Sequence, residues 1–320
     1  MTTKLSSTPP AAARVNVLWA WREFRHTVRT GLAARGFSAF DRPLLPGQRG
    51  SDRIRELLTR NEPMLCARFG FLERDCAWFF HRHRADGQSY PEPVLRRMPN
   101  NTGFFPATPE NLDRFSRLYL DAVREVDVMC VWMLENEAEM CRTFCPNADV
   151  VDPAGYEPYY VRRPWSAALA DRKVLVVHPF ARSIERQYRT VRRSLFANPE
   201  TLPEFELKTL PAVVSLAGTP VPFPDWFAAL ESMQQAILNC DFDVALIGAG
   251  AYGLVLGAFV KRLGKQAIHL GGAIQMLFGI KGRRWDNYPR SARLYNDAWV
   301  RPLPEETPAG AQKVEQGCYW

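Results

Sequence analysis

The chain has 320 residues, of which 47% are hydrophobic and 23% are charged, and its formal net charge is +7 at pH 7. This length and composition are typical of a globular protein with a large core, in one domain or two closely joined ones. No apolar run approaches the ~20 residues of a membrane span, and the first residues lack the apolar segment of a signal peptide. These features exclude an integral membrane protein and predict a cytoplasmic one.

The positive charge fits an anionic substrate, but it would also fit nucleic acid or an acidic membrane. Nucleic acid is the weakest of the three, because the basic residues are dispersed and no nucleic-acid-binding motif is present. The seven cysteines are scattered without the C-x-x-C spacing of a zinc site. We therefore expect reduced thiols that act as small apolar side chains.

The N-terminal region divides into two segments before the main domain. Residues 1–13 are rich in Ser, Thr, Pro and Ala, a composition that predicts a disordered tail. Residues 14–35 alternate apolar side chains and arginines at helical spacing. This amphipathic helix either docks on the main domain or makes a peripheral contact with the inner face of an anionic membrane. Residues 42–50 are predicted to be a linker, so that 14–50 form a helix and linker segment.

Residues 51–280 alternate between apolar runs and helical patterns. Such alternation predicts an α/β domain with a doubly wound, mostly parallel Rossmann-like sheet and helices on both faces. The predicted strands lie at 64–68, 128–132, 173–178, 205–214, 244–247 and 265–269. The predicted helices lie at 51–60, 71–83, 109–126, 181–196, 224–238, from about 251, and at 273–279. Thr108 is the predicted N-cap of the third of these helices. Residues 281–320, rich in proline and aromatics, are predicted to wrap the domain.

A glycine-rich turn follows the strand at 244–247. Gly248, Gly250 and Gly253 form a Gly-x-Gly-x-x-Gly sequence, which permits a tight turn and the close backbone approach that a phosphate needs. The phosphate would lie on the free amides of the following helix. A dinucleotide site normally carries Asp or Glu about 20 residues later, and here that place falls on His269. We therefore expect no NAD; a phosphate site and a purely structural crossover remain open.

Other polar side chains follow predicted strands, where doubly wound folds bind their ligands. Arg68 and Glu73 flank a turn at Gly70. Either they form a local salt bridge, or Arg68 binds a diphosphate and Glu73 acts as a metal ligand or base. His178 is the best general-base candidate by position, although a hydrogen-bonded core histidine fits equally well. Ser183, at the start of the next helix beside Arg182, could hold an anion.

The segment after the helix at 273–279 is a second cationic candidate. Lys281, Arg283 and Arg284 precede Trp285, an arrangement that suits phosphate binding or stacking of a base or sugar. A solvated surface loop is the ordinary alternative.

Two motifs resemble the glycosyltransferases of the GT-D fold and their uncharacterised relatives associated with surface polysaccharide synthesis. Residues 64–73, Met-Leu-Cys-Ala-Arg-Phe-Gly-Phe-Leu-Glu, are similar to that family's first strand and its Arg-(Ile/Phe)-Gly-Asp-Gly-Glu turn. Residues 243–272 are similar to its later strand, glycine turn, helix and strand. The order and spacing of elements match from about residue 51 to 279.

The resemblance implies a nucleotide-sugar-dependent glycosyltransferase of the hexosyltransferase class, with a UDP-sugar donor and a glycan or lipid-linked acceptor. The expected catalytic residues are Glu73, which matches the Glu of the family's motif, and His178, which stands at a strand end. The strand ends, the glycine turn, the start of the helix at 181 and the cationic segment supply the expected nucleotide- and diphosphate-binding residues. These are Arg68, Gly70, Ser183, Gly248, Gly250, Tyr252, Gly253, His269, Gly271, Gly272, Lys281 and Arg283. A non-catalytic nucleotide- or glycan-binding protein of a polysaccharide assembly is the alternative, and an NAD(P)-dependent oxidoreductase is the weakest.

The family's Asp-x-Glu motif, which helps to hold Mg²⁺ or Mn²⁺ and the diphosphate, is incomplete in this chain. Glu73 matches the Glu, whereas Phe71 stands at the Asp position. Three possibilities follow: Glu73 suffices as the metal ligand, Arg68 and the cations at 281–284 replace the metal, or catalysis has been lost.

Overall fold

The computed structural model describes residues 40–286 and 288–320. The predicted disordered tail at 1–13 and the predicted helix at 14–35 lie outside these residues. Within them, no helix combines the length and the apolar character that a membrane crossing requires.

In the described part of the chain, eight strands form a single sheet in which every neighbouring pair is parallel. The strands are β1 (Leu44–Leu45), β2 (Met64–Arg68), β3 (Val128–Cys130), β4 (Asp149–Val151), β5 (Lys173–His178), β6 (Glu206–Pro211), β7 (Val244–Ile247) and β8 (Gln266–Ile268). Their order across the sheet is β1-β4-β3-β2-β8-β7-β5-β6. The α/β fold class predicted from the sequence is therefore confirmed.

Helices connect the strands, and three short ones follow the last strand. The helices are α1 (Gln48–Thr59), α2 (Phe71–Phe79), α3 (Glu92–Arg97), α4 (Pro109–Arg124), α5 (Glu137–Phe144), α6 (Pro153–Tyr156), α7 (Ala181–Leu195), α8 (Trp226–Leu238), α9 (Gly253–Arg262), α10 (Ile274–Leu277), α11 (Arg283–Asp286) and α12 (Pro289–Ala292). A π-helical turn, Phe80–Arg84, continues α2.

Both faces of the sheet are buried, which explains why the central strands are continuous apolar runs. Along β2, Leu65 and Ala67 join one hydrophobic cluster, while Met64 and Cys66 join a second one. Successive side chains of a strand point to opposite faces, so the two clusters lie on opposite sides of the sheet.

The strand order reverses between β5 and β7. β5 is followed in the chain by β6 on one side, whereas β7 is followed by β8 on the other side. Connections that leave two adjacent strands in opposite directions open a crevice at their carboxyl ends, which is where such folds bind ligands. His178 ends β5, and Gly248 follows β7.

The edge of the sheet contains elements that the sequence did not predict. The predicted linker at 42–50 is wrong in part, because Leu44 and Leu45 pair with Val150 and Val151 and α1 begins at Gln48. The sequence analysis also did not predict β4 or α5. The strands β1 and β4 have only two and three residues, too few to produce a recognisable alternation or apolar run.

The predicted N-cap of α4 is confirmed. The Thr108 side chain accepts a hydrogen bond from the Asn111 backbone N–H at 3.3 Å. Replacing Thr108 with Ala should lower the free energy of unfolding by about 1 kcal/mol, because a helix-terminal N–H loses its partner. Urea denaturation measures this change. Thr190→Ala is the control, since Thr190 is exposed in the interior of α7; an equal loss in both variants would contradict the capping role.

Candidate functional site

The carboxyl ends of β5, β7, β8 and β2 bring four predicted site residues together. A Cβ atom on Gly248 would lie 2.5 Å from the Gly271 carbonyl oxygen and 2.6 Å from Cδ2 of His178. A Cβ atom on Gly271 would lie 3.4 Å from Nη1 of Arg68. Four residues therefore follow one another in close contact along this edge, in the order His178, Gly248, Gly271 and Arg68.

The glycine turn has the backbone freedom that its sequence predicted. Gly250 adopts a φ of +51°, in the left-handed region that favours glycine. A short 3-10 turn, Gly250–Tyr252, leads into α9 at Gly253. A Cβ atom on Gly253 would overlap the imidazole of His269, so the third glycine makes room for a side chain from β8. The third glycine thus packs helix against strand, as it does in dinucleotide-binding turns.

His178 is a buried, neutral histidine. The Phe180 backbone N–H donates to its Nδ1 at 2.9 Å, so the proton of the neutral ring lies on Nε2. Burial lowers the pKa of His178 to about 3. Near neutral pH the ring can therefore donate a hydrogen bond from Nε2, and its remaining acceptor is already used. This geometry favours a hydrogen-bond donor to an anion over the predicted general base.

His269 is also buried and neutral. Its Nδ1 lies 3.2 Å from the Ile247 carbonyl oxygen, to which a protonated Nδ1 donates. Burial lowers its pKa to about 3, and the positive charge of Arg68 acts in the same direction. The Tyr156 hydroxyl donates to the His269 carbonyl at 2.6 Å and fixes the backbone after β8.

Arg68 and Glu73 occupy the turn between β2 and α2. Arg68 is half-buried, and its Nε donates to the Phe69 carbonyl at 3.2 Å. The Glu73 carboxylate folds back against Gly70, where any Cβ atom would overlap it. Burial raises the pKa of Glu73, while the charge of Arg68 opposes that rise. A carboxylate with a raised pKa is suited to accept a proton near neutral pH.

The residues at this turn do not fit a metal ion. Phe71 is the first residue of α2, and its side chain offers no ligand atom. Among the residues that the structure describes, no group of three or more His, Cys, Asp and Glu side chains could hold a metal. Mg²⁺ and related cations need several oxygen ligands, and Glu73 supplies a single carboxylate.

The anion site predicted at the start of α7 is filled from within the chain. The backbone N–H groups of Arg182 and Ser183 donate to the Glu306 carboxylate, at 2.8 Å for Arg182. The Ser183 hydroxyl donates to the same carboxylate. The helix N-terminus therefore holds a carboxylate of the C-terminal tail at the place where the sequence analysis expected a diphosphate.

The predicted phosphate-binding cations contact the same tail. Arg283 donates from Nη1 to the Gln316 carbonyl at 2.8 Å, and the Lys281 ammonium lies 5.2 Å from the Tyr295 ring centroid. Tyr319 packs so closely on Gly272 that a Cβ atom there would overlap its ring. The tail thus borders the carboxyl edge of the sheet at Gly272.

Tyr252 lies in the core. Its ring stacks on Trp226 with centroids 4.7 Å apart and planes 4° apart, and it is only 1% exposed. A ligand cannot reach the Tyr252 ring without opening the core, so the predicted nucleotide contact is limited to its backbone.

A cavity of about 580 Å³ lies at the opposite, amino-terminal edge of the sheet. Its lining residues include Arg172, Asp243 and Lys265, which stand before or at the starts of β5, β7 and β8. The cavity therefore does not contain the predicted site residues.

Four residues at or near the candidate site were not singled out by sequence reasoning. Trp132 follows β3, where inspection of every strand end would have found it. Glu137, Glu306 and Tyr319 carry no local signal, because their partners lie in other elements.

Comparison with known proteins gives a distant likeness of fold. No protein-family model matches the sequence, and no curated protein matches it. A solved structure described as "The highly conserved domain of unknown function 1792 has a distinct glycosyltransferase fold" is 15% identical, with a TM-score of 0.42. The similarity covers 82% of this chain and 92% of that chain. A selenomethionine-substituted structure of the same domain has 14% identity, a TM-score of 0.43 and the same coverage. The first is described as having a distinct glycosyltransferase fold, and at this identity the likeness concerns the fold alone.

The buried neutral state of His178 should make stability depend on pH. An unfolded histidine gains a proton near pH 6.5, whereas folded His178 stays neutral down to about pH 3. The free energy of unfolding should therefore fall as the pH decreases through this window. In His178→Asn, the slope between roughly pH 4 and 6 should be shallower by about 1.4 kcal/mol per pH unit. Urea denaturation at several pH values measures the slope; an unchanged slope would mean that His178 titrates normally in the folded protein.

The Glu306 contact should stabilise the tail. Glu306→Gln removes a charge from a helix N-terminus and weakens several charge-assisted hydrogen bonds, so it should cost about 1–2 kcal/mol. Glu305→Gln is a matched control, because Glu305 forms only an exposed ion pair with Arg182 at 3.0 Å; that change should cost less than about 0.5 kcal/mol. Thermal and urea unfolding of both variants measures the two losses of stability. Equal losses would argue against a specific anion-binding site for Glu306 at the start of α7.

Proposed function

We propose that the protein is a nucleotide-sugar-dependent glycosyltransferase. The donor is a UDP-sugar, and the acceptor is a glycan or lipid-linked sugar of surface polysaccharide or glycoconjugate synthesis. The protein acts in the cytoplasm, with residues 14–35 as a peripheral membrane contact. The observation that carries the proposal is the position of Arg68 beside Gly271, which itself approaches Gly248 at the sheet edge that includes the switch point.

The diphosphate of the UDP-sugar needs positive charge and N–H groups that are already positioned to bind it. Arg68 supplies a guanidinium next to Gly271, and the turn at Gly248 and Gly250 allows close approach of backbone to phosphate. The Nε2–H of His178 is a further donor at the same edge. Preorganised donors of this kind stabilise the charge that develops on a departing diphosphate.

The acceptor hydroxyl needs a base. Glu73 is our candidate for two reasons. Burial raises the pKa of its carboxyl, and the carboxyl is close enough to interact electrostatically with the Arg68 guanidinium. Its carboxylate would take the hydroxyl proton as the acceptor oxygen attacks the anomeric carbon and the nucleoside diphosphate leaves.

The mechanism uses guanidinium in place of a divalent cation. Phe71 cannot ligate a metal, and Glu73 alone makes a poor site for Mg²⁺ or Mn²⁺. Arg68 carries a permanent charge and can bind two phosphate oxygens at once. We therefore propose that donor binding is independent of added divalent metal.

A non-catalytic nucleotide- or glycan-binding protein is the second candidate. Phe71 at the family's Asp position favours this second candidate. Loss of a metal-binding Asp is one way in which a catalytic site becomes a binding site. The two functions differ in a single measurable property, which is transfer or hydrolysis of the bound donor.

Arg68→Ala should weaken UDP binding by about 1–3 kcal/mol, because a charged hydrogen bond to phosphate is lost. Isothermal titration calorimetry with UDP and UDP-sugars, in Mn²⁺ and in EDTA, measures this loss and the metal dependence together. Arg82→Ala is the control, since Arg82 is exposed and lies beside Trp78, away from the sheet edge.

Failure of every nucleotide to bind the wild-type protein would refute the proposed function. If UDP-sugars bind, turnover that disappears in Glu73→Gln supports the enzyme. Binding without turnover supports the non-catalytic alternative.

A further inference from the structure

The cavity at the amino-terminal edge of the sheet has polar walls. Its volume of about 580 Å³ is within the range of pockets that bind small molecules. Among the described residues that line it, only Leu58 and Ala168 carry apolar side chains. Gly264 also lines the cavity, and a Cβ atom on it would meet nothing within 4 Å, so open space lies beside this residue. A ligand that fills the cavity must therefore hydrogen-bond with its walls.

The guanidinium of Arg172 lies at the wall of this cavity. Its Nη1 donates to Oε1 of Gln266 at 2.7 Å and to the Leu58 carbonyl at 3.2 Å, and both partners line the cavity. Gln266 is fixed in turn, because its Nε2 donates to the Glu62 carbonyl at 3.0 Å. With the described residues, Arg172 forms hydrogen bonds through Nη1 alone. Its Nε and Nη2 groups are therefore left for a ligand.

The charge of Arg172 is not balanced by a carboxylate. Arg53, Arg84 and Arg192 are half-buried like Arg172, and each lies 2.7 or 2.8 Å from a carboxylate oxygen. Arg172 forms no ion pair with any residue of the described chain. Burial lowers its pKa, and the negative charge of Asp243 opposes this effect. A partly buried charge without a counter-ion is costly, and an anionic ligand would supply the missing partner.

A second cation and one carboxylate also line the cavity. The half-buried ammonium of Lys265 donates to the Phe242 carbonyl, and it has two further N–H groups. Asp243 accepts the Lys173 backbone N–H through Oδ2 at 2.9 Å. Its Oδ1 accepts no hydrogen bond from a described residue. Two cations and one carboxylate favour an anion, and the carboxylate favours one that also carries hydroxyl groups.

We propose that this cavity binds a phosphorylated sugar. The Nε and Nη2 groups of Arg172 bind the phosphate together with Lys265, and Asp243 accepts hydrogen bonds from the sugar hydroxyls. The volume accommodates a sugar ring as well as the phosphate. The cavity lies at the edge of the sheet opposite Arg68, so this inference goes beyond the proposed function and does not depend on it.

Isothermal titration calorimetry with glucose-6-phosphate and ribose-5-phosphate tests the site directly. Both should bind the wild-type protein, whereas glucose, which lacks the anion, should bind at least about tenfold more weakly. Arg172→Gln should weaken sugar-phosphate binding by about tenfold or more, because charge-assisted hydrogen bonds are lost. Arg172→Lys keeps the charge but loses the planar pair of N–H groups, so it should retain part of the affinity.

A matched control and a second variant separate ligand binding from stability. Arg193→Gln removes the same charge from an exposed side chain and should change the affinity by less than about twofold. Because Arg172 also contacts the end of α1, Lys265→Met tests the cavity without touching that contact. It keeps an unbranched side chain beside the Phe242 ring and should weaken sugar-phosphate binding by about fivefold or more. Urea denaturation shows whether each variant is folded.

Arg68→Ala distinguishes this cavity from the carboxyl edge of the sheet. Its sugar-phosphate affinity should equal that of the wild-type protein. Lost affinity in Arg68→Ala, with unchanged affinity in Arg172→Gln, would place the ligand at the other edge and overturn the inference. Equal losses in Arg172→Gln and Arg193→Gln, or no binding of either sugar phosphate by the wild-type protein, would also overturn it. Sugar-phosphate binding without UDP binding would refute the proposed function alone.

Discussion

Close approach of backbone at the carboxyl edge of the sheet is the constraint on which the candidate site depends. The Gly271 carbonyl and the His178 ring leave no room for a side chain at residue 248. The imidazole of His269 fills the space that a side chain at residue 253 would need. Because these contacts join β5, β7 and β8, the glycines fix the distances between the groups that the site uses. Without them the strands would still pair, but their ends would stand too far apart to share a small ligand.

The electrostatics of this edge follow from burial. His178 and His269 are both neutral because the low-polarity surroundings disfavour a charged ring. Arg68 contributes the positive charge of its guanidinium. The edge therefore presents the guanidinium of Arg68, the Nε2–H donor of His178 and the carboxyl of Glu73. This distribution suits an anionic ligand better than a cationic one.

The C-terminal tail determines how much of the edge is accessible. It supplies Glu306 to the start of α7, and it places Tyr319 against Gly272. Arg283 and Arg284 hold the tail through Gln316 and Glu315. The sequence analysis assigned Arg283 and Arg284 to phosphate binding, but both side chains contact the last residues of the chain. The positive charge that remains for a ligand at this edge is concentrated on Arg68.

The sequence by itself determined the central strands and the edge at which the site lies. β2, β5 and β7 have the predicted bounds, because buried parallel strands are continuous apolar runs that end at polar residues or glycine. The glycine pattern likewise requires only local backbone freedom. Tertiary structure decided the rest. β1 exists because it pairs with β4, which pairs in turn with β3, and Ser183 meets Glu306 across more than a hundred residues of chain. Whether His178 titrates depends on how deeply it is buried and on the Phe180 amide. Burial and long-range partners arise only when distant segments pack, so no local pattern could have shown them.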